Sequence, residues 1–189
     1  MTTDKRLIRR ECFAHVGDLA DATKADHSQA IVRHLSNSAI FREASSIFSY
    51  VAMASEPDLT ELFQQNVNKH WAFSRVGVDD RLSFHKVTDL DDIHPGPLGF
   101  REPQPDKCPI VSPDTADLIL IPGVGFDPSD LARIGRGRGH YDRYLNLALE
   151  SDSSPVLTGV CFSVQLTALT PDAHDVPMTS LVTELGWTS

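Results

Sequence analysis

A chain of 189 residues that is 41% hydrophobic and 23% charged can build the core of one soluble domain without disulfides or a structural metal. Its formal net charge of −9 speaks against general nucleic-acid or membrane-surface binding, yet leaves room for a local basic site that holds a small anion. Cys12, Cys108 and Cys161 are odd in number and widely spaced, the N-terminal MTTDKRLIRRECF lacks an apolar signal core, and no run approaches the ~18 apolar residues of a membrane span, so a cytoplasmic protein is expected.

Thr3 or Asp4 is placed to cap a first helix that turns Leu7, Ile8 and Cys12 inward, and Lys5 and Arg9, four apart, share one of its faces. That face is either a solvated basic surface or half of an anion site. A second helix is expected from Asp26 to about Ser38, packed through Ile31 and Leu35. Residues 45–53, SSIFSYVAM, read as a first strand, followed by a turn and by a helix capped at Asp58 or Thr60 and running to about Lys69. Glu56 falls just beyond that strand, where open α/β sheets bind ligands, and is either a ligand contact or a solvated turn acid.

Residues 71–76 and 82–87 are short strand candidates separated by Gly77-Val78-Asp79-Asp80. Residues 89–113 carry six prolines (95, 97, 103, 105, 109 and 113) and read as a long irregular connection in which Phe100 and Pro103 are placed to close over a ligand. Residues 118–121, LILI, have the unbroken apolar pattern of a strand buried on both faces, stopped by Pro122 and Gly123. Beyond an arginine-rich segment, Tyr141, Tyr144, Leu145 and Leu149 recur at helical spacing. Residues 156–162 form another strand, Pro171 to Asp175 a turn, and Leu181, Val182 and Leu185 a last strand. The alternation predicts an α/β fold with a mostly parallel central sheet, in one domain or a lean two-lobed one.

Between the buried strand and the helix start lies RIGRGRGHYDR, residues 133–143. Gly135, Gly137 and Gly139 permit positive φ and close backbone approach. A helix start presents free N–H groups and partial positive charge. Arg133, Arg136, Arg138 and Arg143 form a basic island in an acidic chain, and guanidinium forks match phosphate oxygens in pairs. The spacing is neither a dinucleotide fingerprint nor a P-loop, and an arginine-rich surface loop would share the glycines. The coincidence of strand, glycines, arginines and helix start favours a polyphosphate site, with Asp142 one turn into the helix placed to hold magnesium. Cys108 and Cys161 read as packing residues.

Several blocks together resemble the 5-formyltetrahydrofolate cyclo-ligase family, also called 5,10-methenyltetrahydrofolate synthetase. They are Lys5-x-x-x-Arg9, Tyr50-Val51-Ala52-Met53-x-x-Glu56, Leu82-x-Phe84, Gly99-Phe100-Arg101-Glu102-Pro103, Pro122-Gly123-x-x-Phe126-Asp127, the 133–143 segment, Phe162-x-x-Gln165, His174-Asp175 and Thr183-Glu184. The resemblance implies a single three-layer α/β/α domain over residues 1–189 and an ATP- and magnesium-dependent closure of 5-formyltetrahydrofolate to 5,10-methenyltetrahydrofolate, with ADP and phosphate released. By it, Lys5, Arg9, Arg133, Gly135, Arg136, Gly137, Arg138, Gly139, His140 and Tyr141 bind ATP. Arg133, Arg136 and Arg138 also balance transition-state charge, Asp142 ligates magnesium, and Val51, Glu56 and Tyr141 line the folate site. Reduced folate and ATP are the implied partners of a monomer that binds neither nucleic acid nor membrane. The chain departs from the pattern at His140, where an aromatic is usual, at Ser74, where a proline is usual, and at Thr179, where a second magnesium-linked aspartate is expected. Two alternative readings stay open on the same scaffold: a non-catalytic nucleotide- or folate-binding protein, and an ATP-dependent kinase or ligase for another small substrate.

Overall fold

The run Leu118–Pro122 (β7) is buried at every position and forms the middle of the sheet. In the computed structural model, which describes residues 4–96, 99–149, 155–172 and 174–188, β7 pairs in parallel with Ser46–Ser49 (β1) on one side and Val156–Val160 (β10) on the other. His70–Val76 (β2) extends the parallel array beyond β1, and Ser180–Thr183 (β11) extends it beyond β10. The margins turn antiparallel: Leu82–Lys86 (β3) and Ile110–Val111 (β6) on one flank, Gly186–Thr188 (β12) on the other. Among the described residues the sheet order is therefore β12-β11-β10-β7-β1-β2-β3-β6. Asp117 fixes its centre, its Oδ2 accepting the N–H groups of Ser45 at 2.8 Å and Ser46 at 2.9 Å.

Alternation along β7 separates two cores. Leu118 and Leu120 join Ile31 and Leu35 of Asp21–Asn37 (α2), Phe41 of Ala39–Glu43 (α3) and Leu62 of Thr60–Gln65 (α4). Ile119 and Ile121 join Tyr144, Leu145 and Ala148 of His140–Leu149 (α5), with Phe48 and Phe84. These are the three layers the resemblance implies, and each fully buried Leu, Ile or Phe contributes about 1.5–3 kcal/mol. A third, smaller cluster joins Ile8 and Cys12 of Lys5–Gly17 (α1) to Val124 and Ile134. One buried cysteine sits in each cluster: Cys108 in the first, Cys161 in the second and Cys12 in the third.

Several boundaries differ from the sequence reading. Asp4 caps α1 by accepting the Arg6 N–H at 2.9 Å, while Thr3 lies outside the described residues. Helix α2 begins at Asp21 instead of Asp26, with that acid in the first turn attracted to the positive end of the helix dipole, and ends at Asn37. Ser38 caps the short α3 through its hydroxyl, which accepts the Phe41 N–H at 3.1 Å. Strand β1 stops at Ser49, and Tyr50 donates its hydroxyl proton to Pro57 O at 2.9 Å. The connection 89–113 is less irregular than its prolines suggest. It contains an antiparallel pair, Ile93–Pro95 (β4) with Arg101–Pro103 (β5), and the edge strand β6; His85 Nδ1 lies 2.7 Å from Cys108 O, tying the segment to the sheet. The last expected strand is a hairpin whose turn leaves Leu185 79% exposed.

Candidate functional site

Strands β1 and β7 are parallel neighbours whose chains continue in opposite directions, from β1 to β2 on one side and from β7 to β10 on the other. Such a switch point opens a crevice beyond the carboxyl ends of the strands. Tyr50 and Val51 leave β1 there, Pro122 and Gly123 end β7, and all four line a groove of about 740 Å3. Gln165 fixes its floor by donating from Nε2 to Gly123 O and Val124 O, each at 3.0 Å.

Beyond β7 the chain folds back as a small hairpin, Gly125–Phe126 (β8) with Arg133–Ile134 (β9), which the sequence reading did not foresee. A Cβ on Gly123 would stand 2.6 Å from the Phe126 ring, so the turn requires glycine. The hairpin carries Arg133 into the groove wall. Its side chain is only 3% exposed, Nη2 donates to Asp142 Oδ1 at 2.7 Å, and the guanidinium lies 5.5 Å from the Tyr141 ring centre. Its buried Nε has no hydrogen-bond partner among the described residues. This fixed, under-satisfied cation faces a polar cavity.

The glycine segment then crosses the groove. Gly137 has φ +101° and Gly139 φ +65°, while Gly135 keeps ordinary backbone angles. From α1, Arg9 Nε donates to Gly135 O at 2.8 Å, and its guanidinium covers Gly137. Arg136 reaches across to β1's outgoing turn: Nη2 donates to Ser55 Oγ at 2.9 Å and stands 3.6 Å from Glu56 Oε1, with the Phe13 ring 5.1 Å away. Arg138 and His140 both meet Asp80, which the sequence reading passed over as part of a turn. Helix α5 begins at His140, so its free N–H groups open beside the arginines.

Glu56 is buried, and Oε2 accepts the Met53 N–H at 3.0 Å. Burial raises its carboxyl above the usual range, against the opposing pull of that N–H and of Arg136. Burial also raises the Tyr141 phenol, which bonds Ser74. Lys5 donates to Asp172 at 2.7 Å and Asp175 at 2.9 Å. Burial lowers the lysine's pKa, but the two acids outweigh it and the net shift is upward. Asp172, His174 and Asp175 present ligand atoms within 4.8 Å of one another, a candidate cation site that shares the groove lining with Asp142. Thr179 does not line the groove; it is exposed, and its Oγ1 accepts the Leu157 N–H at 3.1 Å.

All the site residues expected from sequence, from Lys5 and Arg9 through Val51 and Glu56 to the 133–142 segment, line this one groove. It shares Val51, Met53, Phe100 and Arg136 with a second groove of about 600 Å3, whose wall includes Phe13 and Val16 with Lys24 and Arg101 at its margin. A cationic cradle thus adjoins a buried acid and an apolar slot. Among the described residues no helix is long and apolar enough to cross a membrane.

The family model described as "5-formyltetrahydrofolate cyclo-ligase family" matches residues 1–184. A 5-formyltetrahydrofolate cyclo-ligase of Mycolicibacterium smegmatis is 28% identical over 185 residues, covering 95% of this chain and 93% of its own. The enzyme of that name from Saccharomyces cerevisiae is 35% identical over 108 residues, 53% of this chain and 50% of its own length, so that match spans half of the yeast protein. The solved structure of Aquifex aeolicus 5,10-methenyltetrahydrofolate synthetase superposes with a TM-score of 0.83 at 27% identity, over 97% of this chain and 91% of that one.

Proposed function

The chain belongs to the 5-formyltetrahydrofolate cyclo-ligase family, and from that membership we propose that it closes 5-formyltetrahydrofolate to 5,10-methenyltetrahydrofolate with ATP and magnesium, as a cytoplasmic monomer. The observation that carries the reading is a single groove in which Arg133, Arg136, Arg138 and the start of α5 form one wall and the buried Glu56 the other.

A formamide is a poor electrophile because its nitrogen donates into the carbonyl. Phosphoryl transfer from ATP to the formyl oxygen makes that oxygen part of a leaving group and releases ADP. The second folate amine then attacks the formyl carbon, the ring closes, a proton is lost and phosphate departs. The protein's task is positioning and charge stabilisation. Lys5 and Arg9 hold the triphosphate from the α1 side. The N–H groups around Gly137 and Gly139 cradle it, and Arg133, Arg136 and Arg138 balance charge on the transferring group. Tyr141 and His140 close the cradle. Glu56 and Val51 orient the folate, and the adjoining slot between Phe13 and Phe100 suits the substrate's benzoyl ring, with Lys24 and Arg101 near its carboxylates. The acidic donor set fits a hard cation. Asp142, with Asp175 at the groove margin, would hold magnesium, which supplies neutralisation of the phosphate charge.

The test is turnover of 5-formyltetrahydrofolate with ATP and magnesium, followed by the near-ultraviolet band of the conjugated methenyl product. The band should grow only with ATP and should slow by roughly 30- to 1,000-fold in Arg138→Ala, the cost of one well-placed charge-stabilising donor. ATP binding without any such band would refute the reading.

A further inference from the structure

Asp80 takes no part in the chemistry above, yet three basic side chains of the phosphate wall converge on it. It sits in the β2–β3 turn at φ +61°, fixed by Gly77 N–H donating to Arg81 O at 2.9 Å and its own N–H donating to Gly77 O at 3.1 Å. A single carboxylate oxygen, Oδ1, lies 2.9 Å from both Arg138 Nη1 and His140 Nε2. Arg143 donates from Nη2 to the Asp80 backbone carbonyl at 3.2 Å and from Nη1 to Arg138 O at 2.6 Å. The contacts to His140 and Arg138 hold the Asp80 carboxyl below its ordinary range.

The two arginines nearest the loop's ends are held differently. Arg133 is 3% exposed and its partner Asp142 16%, so that pair is part of the wall. Arg138 and Asp80 are 63% and 51% exposed, so water screens their attraction and a phosphate can displace it. A carboxylate bridging a guanidinium and an imidazole presents an anionic oxygen to both, as a phosphate group would.

We propose that Asp80 is a positioning residue, an internal counter-ion that occupies Arg138 and His140 when no nucleotide is bound and yields them to a phosphate of ATP. It keeps the unliganded glycine segment ordered and lowers affinity for the triphosphate. The proposal rests on the phosphate-loop reading above.

The test is calorimetric binding of magnesium-ATP, without folate, to four variants. Asparagine tolerates the left-handed backbone of residue 80, so Asp80→Asn removes the charge and leaves the turn. It should lower the Kd for magnesium-ATP by about two- to fivefold, the range of an exposed ion pair, and leave the affinity for 5-formyltetrahydrofolate unchanged. Asp79→Asn makes the same change in net charge one residue away, where the carboxylate faces Arg81, and should shift ATP binding little. Arg138→Ala should weaken ATP binding, and adding Asp80→Asn to it should tighten binding by less than it does in the wild type, because only the His140 contact remains to be released. Asp80→Asn that binds ATP no more tightly than wild type, or Asp79→Asn that tightens binding equally, overturns the proposal while the loop reading stands. Unchanged ATP affinity in Arg138→Ala overturns both.

Discussion

Glu56→Gln separates what the fold needs at this position from what the substrate needs. In the protein the side chain is 8% exposed, Oε2 accepts the Met53 N–H at 3.0 Å, and the cationic Arg136 stands 3.6 Å away and 41% exposed. Glutamine keeps an acceptor for Met53 and nearly the same volume. It also removes a charge that burial disfavours, since the carboxyl is raised above its ordinary pKa. For an acid the sign is definite: a raised folded pKa favours the fold below the unfolded pKa and costs stability as pH rises through the folded value. At neutral pH Glu56→Gln is therefore expected to melt at or above the wild-type temperature. Folate binding should move the other way. A buried carboxylate that receives donors from the substrate contributes about 1.5–3 kcal/mol through a charge-assisted bond, so affinity should fall roughly ten- to hundredfold. Titration of 5-formyltetrahydrofolate, with thermal melting of the same samples, reads both quantities. Unchanged folate affinity, or a melting temperature lowered by several degrees, would show that Glu56 serves the turn and not the ligand.

Gly137→Ala meets no steric obstacle, because the added Cβ would sit 3.6 Å from the Arg9 guanidinium, but it forces alanine to φ +101°. The strain, about 1–3 kcal/mol, should relax the segment and raise the KM for ATP several-fold with little change in global stability; an unchanged KM would remove Gly137 from the cradle. Asp127 is buried and accepts the N–H groups of Leu169 at 2.7 Å and Ser129 at 2.8 Å. Burial lifts its carboxyl, but those N–H groups and that of Asp130 more than reverse the shift, leaving it below the ordinary range. The stability it adds is therefore present above its unfolded pKa of ~3.9 and lost as pH falls through the lower folded value. Urea unfolding should find Asp127→Asn about 2 kcal/mol less stable than wild type at pH 6, with a gap that narrows towards pH 3; a constant gap would refute the assignment.

How far the sequence could be read follows from the range of each interaction. The run at β7, the glycines after it and the helical spacing of α5 are local signals, and together they mark both the centre of the sheet and one wall of the groove. The other wall was legible because Glu56 follows β1 closely, and strand ends are where such folds bind ligands. Asp80 was not legible: its partners lie 58 and 60 positions further on, and nothing local distinguishes it from an ordinary turn acid. The β8–β9 hairpin is likewise too short to show a period of its own, yet it makes Arg133 a buried part of the wall instead of a mobile surface arginine. The proline-rich stretch misled because proline marks edges as well as loops, and β4, β5 and β6 are short or marginal strands. At Thr179 the family resemblance pointed to the metal site, but the structure places Asp172 and Asp175 at the groove and leaves Thr179 outside its lining.

The placement of the cysteines, one in each apolar cluster, gives the protein three internal reporters. Each thiol is buried and each has its pKa pushed upward, chiefly by that burial. A thiol reagent, which reacts with the ionised form, must therefore wait for a local or global opening. The rate at which each is labelled measures the opening of its own layer: Cys12 for the packing of α1 beneath the glycine segment, Cys108 for the α2 face of the sheet, and Cys161 for the α5 face. Following the three peptides by mass in the presence and absence of nucleotide would resolve, within one unmutated chain, which layer a bound ligand makes more rigid.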